Sequence, residues 1–183
     1  MNLADTYRRR LRERALDQNG YVTTGDAADL DVPPVELRKL AGRGGLRHVT
    51  YGLYRFDDIP PAGRDEYMEA VLRVGRDAYL THDAVLALHD LGLVNPPRIR
   101  VGTPHRVRSR IPDHIEVIQR QLARADLTVF EGIPSATVSR ALLDCRGMVM
   151  AERLLEAARE AAARGLLRRS EANRVITAVG ATE

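Results

Sequence analysis

The sequence predicts an α+β chain in two parts, a small helical domain closed by a hairpin and then a mixed α+β domain. Three observations predict this. Short apolar stripes at helical spacing alternate with short extended runs. A tight Gly-containing turn joins two extended runs around Tyr51-Gly52. The joint Asp57-Asp58-Ile59-Pro60-Pro61-Ala62-Gly63 is rich in Pro and Gly, which sets the expected domains at 1–58 and 59–183.

In the first domain, residues 4–18 read as a helix with Leu11, Ala15 and Leu16 as its stripe and Gly20 as its stop. Tyr21-Val22-Thr23 is a very short extended piece. Thr24 is placed to cap a helix from Gly25 to Leu30. The turn Asp31-Val32-Pro33-Pro34 leads into a third helix, Pro34 to Gly42, because Pro suits the first helical turn. Leu46–Thr50 and Leu53–Phe56 form the hairpin. Helix, strand, helix, helix, hairpin is the order of a winged helix-turn-helix.

In that arrangement the third helix is the reader. Leu37, Leu40 and Ala41 face inward, so Val35, Arg38 and Lys39 face outward. A small, partly basic face of this kind suits the major groove. The hairpin would be the wing, with Arg47, His48, Tyr51 and Arg55 reaching flanking phosphates. Thr24 and Arg43 complete the predicted DNA-contacting set. Arg8, Arg9, Arg10, Arg12 and Arg14 form a further cationic stretch that reads equally as a solvated helix face.

The second domain alternates helices and strands. Helices are expected over Arg64–Arg76, over His82–Leu91 with Thr81 as cap, and over 137–144 and 149–164, with a last short helix capped by Ser170. Strands are expected at Ala78–Leu80, Arg98–Val101, Ile115–Arg120 and Leu127–Phe130, with Glu131-Gly132-Ile133-Pro134 as a turn.

Composition narrows the function classes. The 183 residues are 44% hydrophobic and 29% charged, a globular mixture that can bury a core. Aromatics are 4% and Trp is absent, so the core should be built from Leu, Val, Ile and Ala. No apolar run approaches the roughly 20 residues of a membrane span, and Met1–Asp5 lacks the apolar run of a leader, so a cytoplasmic protein is expected. The single Cys145 excludes an internal disulfide and a cysteine zinc site. The net charge of +3 is unevenly spread: residues 1–58 carry 10 basic and 9 acidic groups, residues 98–124 carry 7 and 2. The island Arg98, Arg100, His105, Arg106, Arg108 and Arg110 is therefore a second candidate surface, for DNA or for an acidic partner.

No catalytic, cofactor or metal residues emerge. His82 and His89 lie seven apart, whereas a helical metal site wants partners one turn apart and a third ligand. Ser139, Asp144 and Cys145 have no placed base. Gly42-Arg43-Gly44-Gly45 reads as a helix stop, not a phosphate loop.

Three stretches resemble the AbiEi-type antitoxin family of bacterial transcriptional regulators. They are Gly20–Thr24 with Leu37–Leu40 and Leu46–Tyr54, then Tyr79–His89, then Gly132–Pro134 with Ser139–Asp144. The resemblance implies an antitoxin of a type IV toxin–antitoxin pair. Such a protein represses its own operon at repeated promoter sites in double-stranded DNA and counteracts a nucleotidyltransferase-type toxin through its second domain. The residues themselves lead to the further expectation of no membrane partner, no cofactor and no enzymatic activity. Some relatives continue into a nuclease domain, which is not expected here. A homodimer or cooperative binding would extend the short site that one winged helix covers. The alternatives are an antitoxin that binds its toxin directly with little DNA affinity, and an enzyme that modifies the toxin.

Overall fold

A computed structural model describes residues 3–180. The leader reading at Met1 and Asn2 lies outside them. The chain is mixed α+β, folded as two compact units, Met1–Arg73 and Val74–Glu183. The Pro/Gly joint lies inside the first unit, because Ile59 is buried in its core and Arg55 binds the Ile59 carbonyl.

The first unit runs α1 (Leu3–Leu16), β1 (Tyr21–Thr23), α2 (Thr24–Asp29), α3 (Pro34–Gly42), β2 (Leu46–Thr50), β3 (Leu53–Phe56) and most of α4 (Asp65–Val74). The three strands form an antiparallel sheet in the order β1-β3-β2. Leu11 and Ala15 of α1, Ala27 of α2 and Leu37 and Leu40 of α3 meet Val22, Leu46, Tyr54 and Phe56 of the sheet. Phe56 is fully buried and Tyr21 and Tyr54 are buried, so three of the few aromatics join the core.

The cap of α2 is Thr23, one residue before the expected Thr24. Its hydroxyl accepts from the Asp26 N–H at 3.0 Å, and the Asp26 carboxylate accepts from the Thr23 N–H at 2.8 Å. This reciprocal capping box satisfies two orphan donors. Asp26 also accepts from Arg14 of α1 at 3.0 Å and from Gln18 at 3.1 Å, so one buried carboxylate ties α1, β1 and α2 together.

The second unit contains β4 (Tyr79–Leu80), α5 (Asp83–Leu88), β5 (Ile99–Thr103), β6 (Ile115–Gln119), β7 (Leu127–Phe130), β8 (Ile133–Ala136), α6 (Val138–Asp144), α7 (Ala151–Ala163) and α8 (Arg169–Gly180). Its mixed sheet has the order β6-β5-β4-β8-β7. The expected turn at Ile133-Pro134 is the start of strand β8. Proline is tolerated there because β8 pairs with β4 only through Leu80 opposite Ser135, so Pro134 need not donate to β4. The last helix is 12 residues long with Ser170 inside it, and Thr81 lies two residues before α5 rather than at its cap. Leu154, Ala157, Ala158 and Ala161 form the buried stripe of α7, which packs on Ala172, Val175 and Val179 of α8.

Candidate nucleic-acid interface

Helix α3 buries Leu37 and Leu40 and turns its other side to solvent. Val35 is 43% exposed, and Arg38 and Arg43 are exposed. Neither guanidinium has an ion-pair or hydrogen-bond partner among the described residues. Lys39 is exposed but bonded to Glu36 at 2.8 Å, one turn back. The unpaired positive charge here is therefore carried by Arg38 on α3 and by Arg43 at its C-cap.

The hairpin tip beside it is held firmly. The Thr24 N–H donates to the Gly52 carbonyl at 2.9 Å, and a Cβ on Gly52 would stand 3.0 Å from the Thr24 hydroxyl. Gly52 also has φ +71°, a conformation glycine adopts freely. Thr24 is thus half-buried behind the tip. Tyr51 at the tip is 98% exposed. His48 is exposed, with its ring edge-on to Tyr54 at 5.2 Å. Arg47 is exposed and lies 3.5 Å from Asp57.

Arg55 corrects the expectation that it faces a phosphate. It is 8% exposed, and its guanidinium donates to the Phe56 and Ile59 carbonyls and to Asp65 at 3.3 Å, with the Tyr21 ring 5.6 Å away. The reason is the chain that follows β3: the Ile59 carbonyl and Asp65 fold back onto the Arg55 side chain, and all four residues of β3 are buried. The arginines of α1 are largely engaged as well. Arg8 and Arg12 pair with Asp58, Arg9 with Glu13 and Arg14 with Asp26, while Arg10 donates to the Leu30 carbonyl. The hydrogen bond from Arg12 holds the Asp58 carboxyl below its usual range.

In the second unit the basic island divides. Arg100 is withdrawn into ion pairs with Asp83 and with Glu116 at 3.3 Å. His105 lies 3.1 Å from Asp77. Arg98, Arg106, Arg108 and Arg110 are exposed, without a partner among the described residues.

A second polar network surrounds Asp144, whose side chain accepts from both Arg120 and Arg140. Burial alone would raise the Asp144 carboxyl; the two arginine bonds outweigh it and hold the group below its usual range. Tyr79 donates to the Arg120 carbonyl at 2.7 Å. His82 sits at φ 53°, ψ −135°, a strained backbone for a residue with a Cβ, and its Nδ1 lies 3.1 Å from the Thr81 hydroxyl. Burial pushes the His82 pKa down. Cys145 is buried, and that burial pushes its thiol up to about 12, so it stays protonated and unreactive. His89 is buried with its ring 4.2 Å from Phe130. Among the described residues no His, Cys, Asp or Glu cluster is arranged for a metal ion, and no helix is long and apolar enough to cross a membrane.

No family model matches the chain, and no curated protein matches it. Among solved structures it is similar to the crystal structure of RV2827C protein from Mycobacterium tuberculosis. The two are 17% identical with a TM-score of 0.46 over 96% of this chain and 78% of that one.

Proposed function

We propose that the chain is a DNA-binding regulator, that Met1–Arg73 is its winged helix-turn-helix, and that it acts as the antitoxin and autorepressor of a toxin–antitoxin operon. The observation that carries the DNA-binding part is the exposed side of α3, where Arg38 stands unpaired near Val35, with a second unpaired arginine, Arg43, at the helix C-cap. An unpaired arginine on a helix between small side chains is suited to bidentate contact with guanine or with phosphate. The order of elements supports the same reading, with α2 and α3 joined by the turn at 30–33 and the β2–β3 hairpin directly after α3. The antitoxin role rests on the sequence resemblance, with a nucleotidyltransferase-type toxin as the expected neighbour.

The DNA part is tested by titrating the full chain against a labelled duplex from upstream of its own gene and against a scrambled duplex. The reading predicts preference for the upstream duplex and strong salt dependence. Equal binding to both would defeat it. The antitoxin part is tested separately, by co-expression with the adjacent gene product: rescue of growth supports it, and unrelieved toxicity refutes it.

A further inference from the structure

Strands β5 and β6 are parallel neighbours, paired in register from Ile99 opposite Ile115 to Thr103 opposite Gln119. Their connection must therefore return from the end of one strand to the start of the next, about 16 Å for five residues. Such crossovers usually contain a helix. Here residues 104–114 make the return without one. The segment starts on Pro104 and carries a second proline, Pro112, three residues before β6, and its entry and exit are fixed by hydrogen bonds. The His105 N–H donates to the Thr103 hydroxyl at 3.2 Å, and the Ile115 N–H donates to the Pro112 carbonyl at 3.0 Å. Val107 and Ile111 are half-buried, while Arg106, Arg108 and Arg110 are exposed, as is Ser109 at a bend between the last two.

The strap thus presents three exposed guanidinia within five residues, and Arg98 adds a fourth exposed, unpaired one just before β5. Asp113 is the sole carboxylate within the strap. These four side chains hold more unpaired positive charge than the α3 face does.

We infer that this strap is a second anion-binding surface, and that its ligand is the phosphodiester backbone of a nucleic acid. A repeating polyanion matches several unpaired guanidinia carried close together on one short segment. Guanidinium forks grip phosphate oxygens bidentately without reading bases. The surface is on the second unit and is independent of the promoter reading of α3.

The test uses the full chain carrying Arg38→Ala and Arg43→Ala, so that the α3 face is silenced. Binding of a random-sequence duplex and of a stem-loop RNA is measured across salt, with and without Arg106→Gln/Arg108→Gln/Arg110→Gln. Three lost phosphate contacts should flatten the duplex salt slope by about 2.7, so that the parent loses about 40-fold more affinity than the Gln variant between 50 and 200 mM salt. The corresponding triple Lys variant should keep most of the slope, which separates lost charge from lost fold. Binding in the DNA arm, the RNA arm or both supports the inference and names the source of the phosphodiester. An unchanged slope, or no binding to either probe, overturns it. Displacement of the nucleic acid by polyglutamate at equal charge also overturns it, in favour of an acidic protein partner.

Discussion

Gly102 on β5 offers a sharp physical test of the sheet that carries the strap. It pairs with Tyr79 across β4 and β5, and the tyrosine ring lies directly over it. A Cβ built on Gly102 would stand 2.3 Å from Tyr79 Cε2, 2.4 Å from Cζ and 2.7 Å from the hydroxyl. Ordinary carbon contacts lie at about 3.5–4.0 Å, so in Gly102→Ala the ring must retreat by about 1.2 Å or more. It has little room to do so. Tyr79 is 3% exposed, and its hydroxyl is anchored on the Arg120 carbonyl. Overpacking of this kind costs about 1–3 kcal/mol, and loss of the hydroxyl bond adds about 1 kcal/mol. Against this, Ala in a strand gains about 0.5–1 kcal/mol over Gly. The expected net loss is about 2 kcal/mol, read as a lower urea midpoint for the second unit with unchanged m. In a Tyr79→Ala background the clash has no partner, and the same substitution should be neutral or stabilising. A Gly102→Ala protein as stable as wild type, or one equally destabilised in both backgrounds, would refute the packing argument.

Other substitutions separate structural from contact residues. Arg55→Ala should lower stability by about 2–4 kcal/mol, because it removes a buried guanidinium that bonds Asp65 Oδ1 and the Phe56 and Ile59 carbonyls. Its thermal melt should shift clearly, whereas that of Arg43→Ala should not. Asp26→Ala should cost about 2 kcal/mol by removing the capping box and the Arg14 and Gln18 bonds in chemical denaturation. Asp144 has a lowered folded-state pKa, so its contribution is fully present above the unfolded value of 3.8 and fades as pH falls through the lower folded value. An Asp144→Asn variant should therefore show a shallower loss of stability in acid than wild type, measured by urea midpoints from neutral pH downward. Cys145 should react with a thiol reagent only as the chain unfolds, since it is buried and its thiolate is disfavoured.

The local elements of the first unit were legible because their signals are local. Leu11 and Ala15 are one helical turn apart, Pro34 opens α3, and Tyr51-Gly52 closes the hairpin. Thr23 and Asp26 also carry the spacing of a capping box, which identifies the true cap in the sequence itself. What was not legible depends on neighbours far along the chain. Arg55 looks like an outward strand residue until Ile59 and Asp65, further along the chain, close over its guanidinium. Pro134 reads as a turn until the single Leu80–Ser135 pairing shows that it need not donate to β4. The basic island was visible as charge, but its division was not. Only the position of Asp83 on α5 and of Glu116 on β6 removes Arg100 from the exposed set. Likewise, Glu36 one turn before Lys39 is plain in the sequence, yet the closed ion pair that shifts the weight of the α3 face onto Arg38 and Arg43 is a structural fact.

The proposed grip on DNA depends on Arg38 of α3 and Arg43 at its C-cap. Its most direct measurement is the affinity of wild type and of Arg38→Ala/Arg43→Ala for the duplex upstream of the gene, with thermal melts run on the same samples. The account predicts at least a tenfold loss of affinity, about 1.4 kcal/mol or more, with the melting temperature unchanged. Equal affinity of the two proteins for that duplex would contradict it.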